Sequence, residues 1–190
     1  MPTKKFQNKY RVKSTRLKYW DYSSPGLYFV TICTKDMIPW FGKVKDGKMV
    51  LYNIGNIVQD LWLEIDKHFN FVRLDEFIVM PNHIHGIIEI LNVETRHAVS
   101  LPEHINNFGP LAKGSLSTII GSYKSAVTRT IRNQHNSKFA WQPRFWDHII
   151  KNDTSYENII YYIRSNPQNW EQDRNILNED KQFIKHLKKK

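Results

Sequence analysis

The order strand, helix, strand, strand, helix, strand predicts an α+β fold for this chain. The expected form is a ferredoxin-like (split βαβ) antiparallel sheet with an inserted hairpin and an added C-terminal helix. Three observations carry that expectation: short runs of β-branched and aromatic residues bounded by turn residues, longer runs with apolar residues at helical spacing, and an Asp-Gly pair between two further short strands.

Residues 28–34 (YFVTICT) follow a Ser-Pro-Gly turn signal and read as the first strand. Residues 41–45 and 48–52 form the hairpin, joined by Asp46-Gly47, the pair that a tight two-residue turn favours. Between residues 55 and 69, Ile57, Val58, Leu61, Trp62 and Ile65 recur at helical spacing and predict one helix. Residues 74–80 and 84–91 are two strands separated by Pro81-Asn82, which interrupts the ladder and starts a turn. Residues 92–114 read as a polar loop. Residues 116–131 predict a second helix capped by Ser115 or Ser117, with Leu116, Ile119, Ile120, Tyr123, Val127 and Ile131 inward. Residues 145–151 are a last strand, and residues 155–165 a last helix, capped by Asp153 or Thr154 and stopped by Asn166-Pro167.

The 190 residues suit one domain at 21–172, between a basic arm at 1–20 and a basic tail at 173–190. A single cysteine, Cys33, excludes an internal disulfide and a cysteine-rich zinc site, as in a reducing compartment. No stretch approaches the roughly 20 apolar residues of a membrane span, and the first residues lack the apolar run of a secretory signal. A cytoplasmic, nucleoid-associated protein without a membrane partner is therefore expected. With 28 Lys and Arg against 18 Asp and Glu, the net charge of +10 favours polyanions, and nucleic acid above all.

The sharpest local signal is Pro81-Asn82-His83-Ile84-His85-Gly86. Alternate residues of a strand share a face, so His83 and His85 point together while Ile84 faces away. Two imidazoles are then aimed at one ion, and Gly86 leaves room for a substrate near the backbone. The same spacing also suits ordinary surface or hydrogen-bonded histidines. On the last helix, Tyr162 and Asn166 at i and i+4 lie about 40° apart, bordering the stripe of Ile159, Ile160 and Ile163, with Tyr161 on the solvent side. A hydroxyl and an amide side by side suit attack on a phosphodiester beside a metal. Simple packing on the sheet would also account for the pair. His148 alternates with Trp146 and Ile150 and reads as structural, as do Trp141 and Trp146 as core residues.

The stretch FIVMPNHIHGIIEI resembles the histidine-hydrophobe-histidine (HUH) motif of single-tyrosine transposases of the insertion-sequence type. DYSSPGLYFVTICT, FGKVKDGKMVLYNIGNIVQDLW, LDEFIVMPNHIHGII, LSTIIGSYKSAVTR, WQPRFWDHIIKN and YIRSNPQNW, in this order, resemble the branch called REP-associated tyrosine transposases, over about residues 11–170. The resemblance implies a single-tyrosine HUH domain with Tyr162 as the catalytic nucleophile, carried by the added helix. It implies His83, His85 and Asn166 as ligands of Mg²⁺ or Mn²⁺, position 166 being a glutamine in insertion-sequence members. It also implies cleavage and rejoining of single-stranded or hairpin DNA at repeat palindromes through a 5′-phosphotyrosine, by a monomer, with the dimer of the insertion-sequence type left open.

For DNA contacts, Arg11, Lys13, Arg16 and Lys18 are expected along the phosphates, and Lys124 and Arg129 on the second helix as another basic surface. Trp20, Trp40 or Trp146 could stack on unpaired bases. Two other functions compete. A catalytically silent DNA- or RNA-binding module of the same fold would have no need of all four site residues. A histidine phosphoesterase would carry a second histidine motif or a third histidine at position 87, which is isoleucine.

Overall fold

The computed structural model describes residues 20–92, 114–135 and 138–170. Arg11, Lys13, Arg16, Lys18, most of the loop at 92–114 and the basic tail lie outside the described residues.

Among the described residues there are six strands: β1 (Gly26–Cys33), β2 (Gly42–Lys45), β3 (Lys48–Leu51), β4 (Val72–Val79), β5 (His83–Ile90) and β6 (Trp146–Ile150). The same residues form four α-helices, α1 (Asn53–Trp62), α2 (Ile65–His68), α3 (Leu116–His135) and α4 (Asp153–Ser165), and a 3-10 turn at Lys35–Met37. The main sheet has the order β4-β5-β1-β6 with every neighbouring pair antiparallel. The strand after the first helix is thus separated from β1 by β5, which is the split βαβ connectivity that the element order predicts. β2 and β3 form the inserted hairpin, and Asp46 (φ 51°) and Gly47 (φ 68°) take the paired positive φ values of its tight turn.

Alternation along the strands divides the core in two. Tyr28, Val30, Ile32, Ile84 and Ile88 face α1 and α3, where they meet Val58, Trp62, Ile119, Ile120, Tyr123 and Val127. Phe29, Ile87 and Ile150 face the other way, under Ile159 and Ile163 of α4. The second helix runs four residues further than its apolar pattern requires, and Ser115 precedes it with its hydroxyl 3.4 Å from the Thr118 N–H.

Three local expectations are corrected. The single helix across 55–69 is broken after Trp62. The break turns Ile65 and Phe69 into the core, where the Phe69 ring meets Phe71 at 5.8 Å. The last helix begins at Asp153, capped by Asn152 rather than Asp153 or Thr154, because the Asn152 side chain accepts the Ser155 N–H at 2.8 Å. Gly86 makes room for a side chain of the core, not for a substrate. It faces α1, and a Cβ there would lie 2.4 Å from Trp62 Cζ2.

Candidate active site

Strand register brings the two histidines to one face. His83 lies opposite Cys33 and His85 opposite Thr31, with their ring centroids 4.4 Å apart. The turn before them is held from three sides, by Met80 N–H to His83 O (2.8 Å), Thr34 N–H to Asn82 O (2.8 Å) and Phe41 N–H to Pro81 O (2.9 Å). Each imidazole is also held through Nδ1. His83 Nδ1 is 2.8 Å from Asn82 Oδ1, while Asn82 Nδ2 donates to Met37 O at 3.1 Å. That second bond fixes the amide with its oxygen toward the ring, so His83 carries its proton on Nδ1 and presents a lone pair at Nε2. His85 Nδ1 is 2.8 Å from Thr31 Oγ1.

Both rings are almost fully buried. Burial pushes the His83 pKa down to about 4, and pushes His85 well below its ordinary value, with repulsion from His83 adding to the effect. Near neutral pH both are uncharged, the form in which imidazole binds a metal.

The helix that carries Tyr162, α4, sits against the main sheet. Ile159 and Ile163 are fully buried against Phe29, Ile87 and Ile150. Two polar clamps flank them: the Tyr156 hydroxyl donates to Asp75 Oδ2 at 2.6 Å, and Arg164 pairs with Glu76 at 2.7 Å. By accepting that hydrogen bond, and through its own negative charge, Asp75 pushes the Tyr156 pKa up to about 12. Asp75 and Glu76 sit where the register of β4 shifts between Leu74 and Phe77, an irregularity of the kind that re-aims side chains. On this helix Tyr162 meets Phe29 edge-on, with centroids 6.2 Å apart, and brings its hydroxyl 3.3 Å from His85 Nε2. Tyr161 is 74% exposed, on the solvent side as its position on the helix predicts.

Helical hydrogen bonding continues beyond Ser165, through Asn169 N–H to Ser165 O at 3.2 Å and Trp170 N–H to Pro167 O at 3.4 Å. Tyr162, Asn166 and Trp170 therefore follow one another along one stripe. Its first member touches His85, and its last lays its ring 6.0 Å from that of His83. Asn166, between them, is 1% exposed, and neither Oδ1 nor Nδ2 has a protein hydrogen-bond partner. His83 Nε2 is likewise buried without one. Buried polar atoms are normally satisfied, so a cluster of orphans marks a place built for something else. An amide oxygen and two neutral imidazoles fit a divalent cation of the Mg²⁺ or Mn²⁺ type. Among the described residues no group of three His, Cys, Asp or Glu could hold a metal, so a third ligand drawn from them would be of another kind.

From the sequence alone Asn82 has a place in a turn but no part in the site, and Thr31 and Trp170 have no part in it either. Asn82 precedes the first histidine, Thr31 is two residues from Phe29 on β1, and Trp170 stands at i+4 from Asn166. Each signal becomes readable only once strand register and the continuation of the helical turn are known.

The structure places the expected DNA contacts unevenly. Lys124 donates to Gln142 O and Arg144 O, both at 2.8 Å, and burial lowers its pKa to about 8. It staples the loop before β6. Arg129 is exposed and lines an open groove of about 430 Å³ with Ser125, Thr128, Arg132, Asn133 and Trp141. That groove follows α3, on the sheet face opposite the histidines. Trp40 packs edge-on against Phe139, and Trp141 belongs to the main core. Trp20 donates to the Tyr28 hydroxyl under the Lys151 ammonium. Trp146, expected in the core, instead lies half-buried on the histidine face, opposite Thr31, because β6 alternates in step with β1. His148 shares that face, opposite Phe29, but completes no metal-binding group. No described helix is long and apolar enough to cross a membrane.

No family model matches the chain. Among curated proteins, an uncharacterised protein of Haemophilus influenzae is 39% identical over 165 residues, covering 85% of this chain and 91% of the relative. A second Haemophilus influenzae protein, provisionally named a REP-associated tyrosine transposase, is 25% identical over 157 residues, 77% of this chain and 73% of that one. The REP-associated tyrosine transposase of Escherichia coli is 31% identical over 86 residues, 44% of this chain and 51% of its own length.

Proposed function

We propose that the chain is a REP-associated tyrosine transposase, like the relatives so named, and that it cleaves and rejoins single-stranded DNA at hairpin or repeat-palindrome ends. Tyr162 is the nucleophile, and His83, His85 and Asn166 hold Mg²⁺ or Mn²⁺. One observation carries this reading: the Tyr162 hydroxyl stands 3.3 Å from His85 Nε2, at the edge of a cluster of buried, unpartnered polar atoms.

The bound cation would supply charge stabilisation at a phosphate oxygen as negative charge builds there. The remaining work falls to the chain. Phe29 and the clamped helix hold the phenol in one orientation, as attack on a phosphorus requires. Tyr162 Oη bonds to phosphorus as the bond from phosphorus to the 3′-oxygen breaks. The phenol gives up its proton and the departing oxygen takes one, leaving a 5′-phosphotyrosine and a free 3′-hydroxyl. The number of phosphoester bonds is unchanged, so a second 3′-hydroxyl can reverse the step and join strands without an external energy source. The docking of α4 on the sheet of the same chain through Ile159, Ile163, Tyr156 and Arg164 supports a monomer as the working unit.

The test incubates the full chain with labelled hairpin oligonucleotides from the source genome's repeats, in Mn²⁺ or in EDTA, and resolves the products on a denaturing gel. A metal-dependent protein–DNA adduct, mapped by peptide mass to Tyr162, is expected. Tight binding with no adduct in Mn²⁺ would instead make the protein a silent binding module.

A further inference from the structure

The inserted hairpin carries a feature for which the fold has no use. Directly opposed residues of an antiparallel pair share a face, so the pairs Lys45↔Lys48 and Lys43↔Val50 put three lysines and a valine on one side, and Tyr52 continues that row. All five are solvent-facing: the lysines are exposed, Val50 is 42% exposed and Tyr52 48%. The opposite side, with Met49 and Leu51, packs on the core, and Tyr52 N–H bonds Phe41 O at 2.8 Å, so the hairpin has a fixed root. Its tip is fixed too. A Cβ on Gly47 would lie 3.5 Å from Gln168 Cγ, within the turn that joins Asn166 to Trp170.

One of these pairings, Lys45↔Lys48, works against stability. Like charges directly opposite each other on a sheet repel, and no described residue forms an ion pair with Lys43, Lys45 or Lys48. Lysines on an exposed strand discourage edge-to-edge aggregation, but an exposed tyrosine and valine in the same row would not serve that purpose. Cations interleaved with an exposed aromatic are what a single nucleic-acid strand needs, ammonium groups for its phosphates and a ring for an unpaired base.

We propose that the outward face of this hairpin, Lys43, Lys45, Lys48 and Tyr52, is a docking track for single-stranded DNA that leads to the turn carrying Asn166. Lys43 and Lys45, two residues apart on a strand, stand roughly 7 Å apart along it and meet the backbone, while Tyr52 stacks on a base. The track rests on the reading of the protein as a DNA-cutting enzyme, and extends it to the part of the chain that grips the strand outside the reacting centre.

The experiment measures fluorescence anisotropy of labelled oligothymidylate with the full chain in EDTA across a salt series, so that neither metal nor cleavage contributes. Replacing all three lysines (Lys43→Gln, Lys45→Gln, Lys48→Gln) is expected to weaken binding roughly tenfold or more and to lower the slope of log affinity against log salt by about 2. Tyr52→Ala is expected to weaken binding about fivefold or more with the slope unchanged, since stacking releases no counterions. Lys67→Gln, at an exposed position of α2, changes neither. If the wild-type chain binds and the hairpin variants match it in affinity and slope, the track is refuted while the DNA reading stands. A wild-type chain with no affinity for the strand would overturn both. A duplex competing as well as the single strand would overturn the assignment of a single-strand track.

Discussion

On the side of the sheet covered by α1 and α3, a polar atom that is buried generally has a partner. The Tyr123 hydroxyl donates to Val58 O at 2.8 Å, although Trp62 Nε1 is buried there without a partner. On the side under α4, His83 Nε2 and both polar atoms of Asn166 are buried without protein partners, next to the Tyr162 hydroxyl. The same strand feeds both sides. In β5, Ile84, Gly86 and Ile88 go to the first, closed by Trp62, while His83 and His85 go to the second. One face is packed with apolar side chains, and the other leaves buried polar atoms without protein partners where the proposed function sets a cation and a phosphate.

The largest separation of the two faces comes from a single atom. Tyr162→Phe keeps the ring against Phe29 and removes the oxygen, so adduct formation on a denaturing gel is expected to fall at least about a thousandfold. Urea melts should show stability changed by no more than about 0.5 kcal/mol. A cutting rate like that of the wild type would remove Tyr162 as the nucleophile.

Gly86→Ala attacks the other face. Its methyl would press on Trp62, which is fully buried and cannot move aside, so a loss of roughly 1–3 kcal/mol is expected in the same melts, with Mn²⁺ affinity of the folded protein retained. Equal stability would mean that the Trp62 side is looser than its packing indicates.

Acid should weaken the histidine face selectively. The His83 pKa is lowered in the folded chain to about 4, so below the ordinary value near 6.5 the unfolded chain takes up a proton that the folded one refuses. Stability present above that value is therefore lost as the pH falls toward 4. For His83 alone, the loss between pH 7 and pH 5 in EDTA is about 2 kcal/mol. The variant His83→Gln should show a shallower pH slope, and an identical slope would contradict burial of a neutral ring.

How far the sequence could be read depended on the range of the interactions. The Asp46-Gly47 turn, the alternation around His83 and His85, and the placing of Tyr162 beside the stripe of Ile159 and Ile163 depend on neighbours a few residues away, and they stand as expected. The break after Trp62 was hidden because its apolar residues keep helical spacing while the backbone changes direction to seat Phe69 on Phe71. Gly86 is explained by Trp62, and the Lys124 ammonium is engaged by carbonyls of residues 142 and 144, both far along the chain. Asn82 is a partner of His83 only because Met37 O orients its amide, a contact spanning 45 positions. The side of the sheet on which Trp146 lies required the pairing of β6 with β1.

The central claim is that His83, His85 and Asn166 form an incomplete shell for a divalent cation, and calorimetric titration of Mn²⁺ into the full chain tests it most directly. The account predicts a single saturable site in the wild-type protein, abolished in His83→Ala and weakened about tenfold or more in Asn166→Ala, with both variants still folded. A wild-type chain that takes up no Mn²⁺, or variants that bind it as tightly as the wild type, would contradict the account.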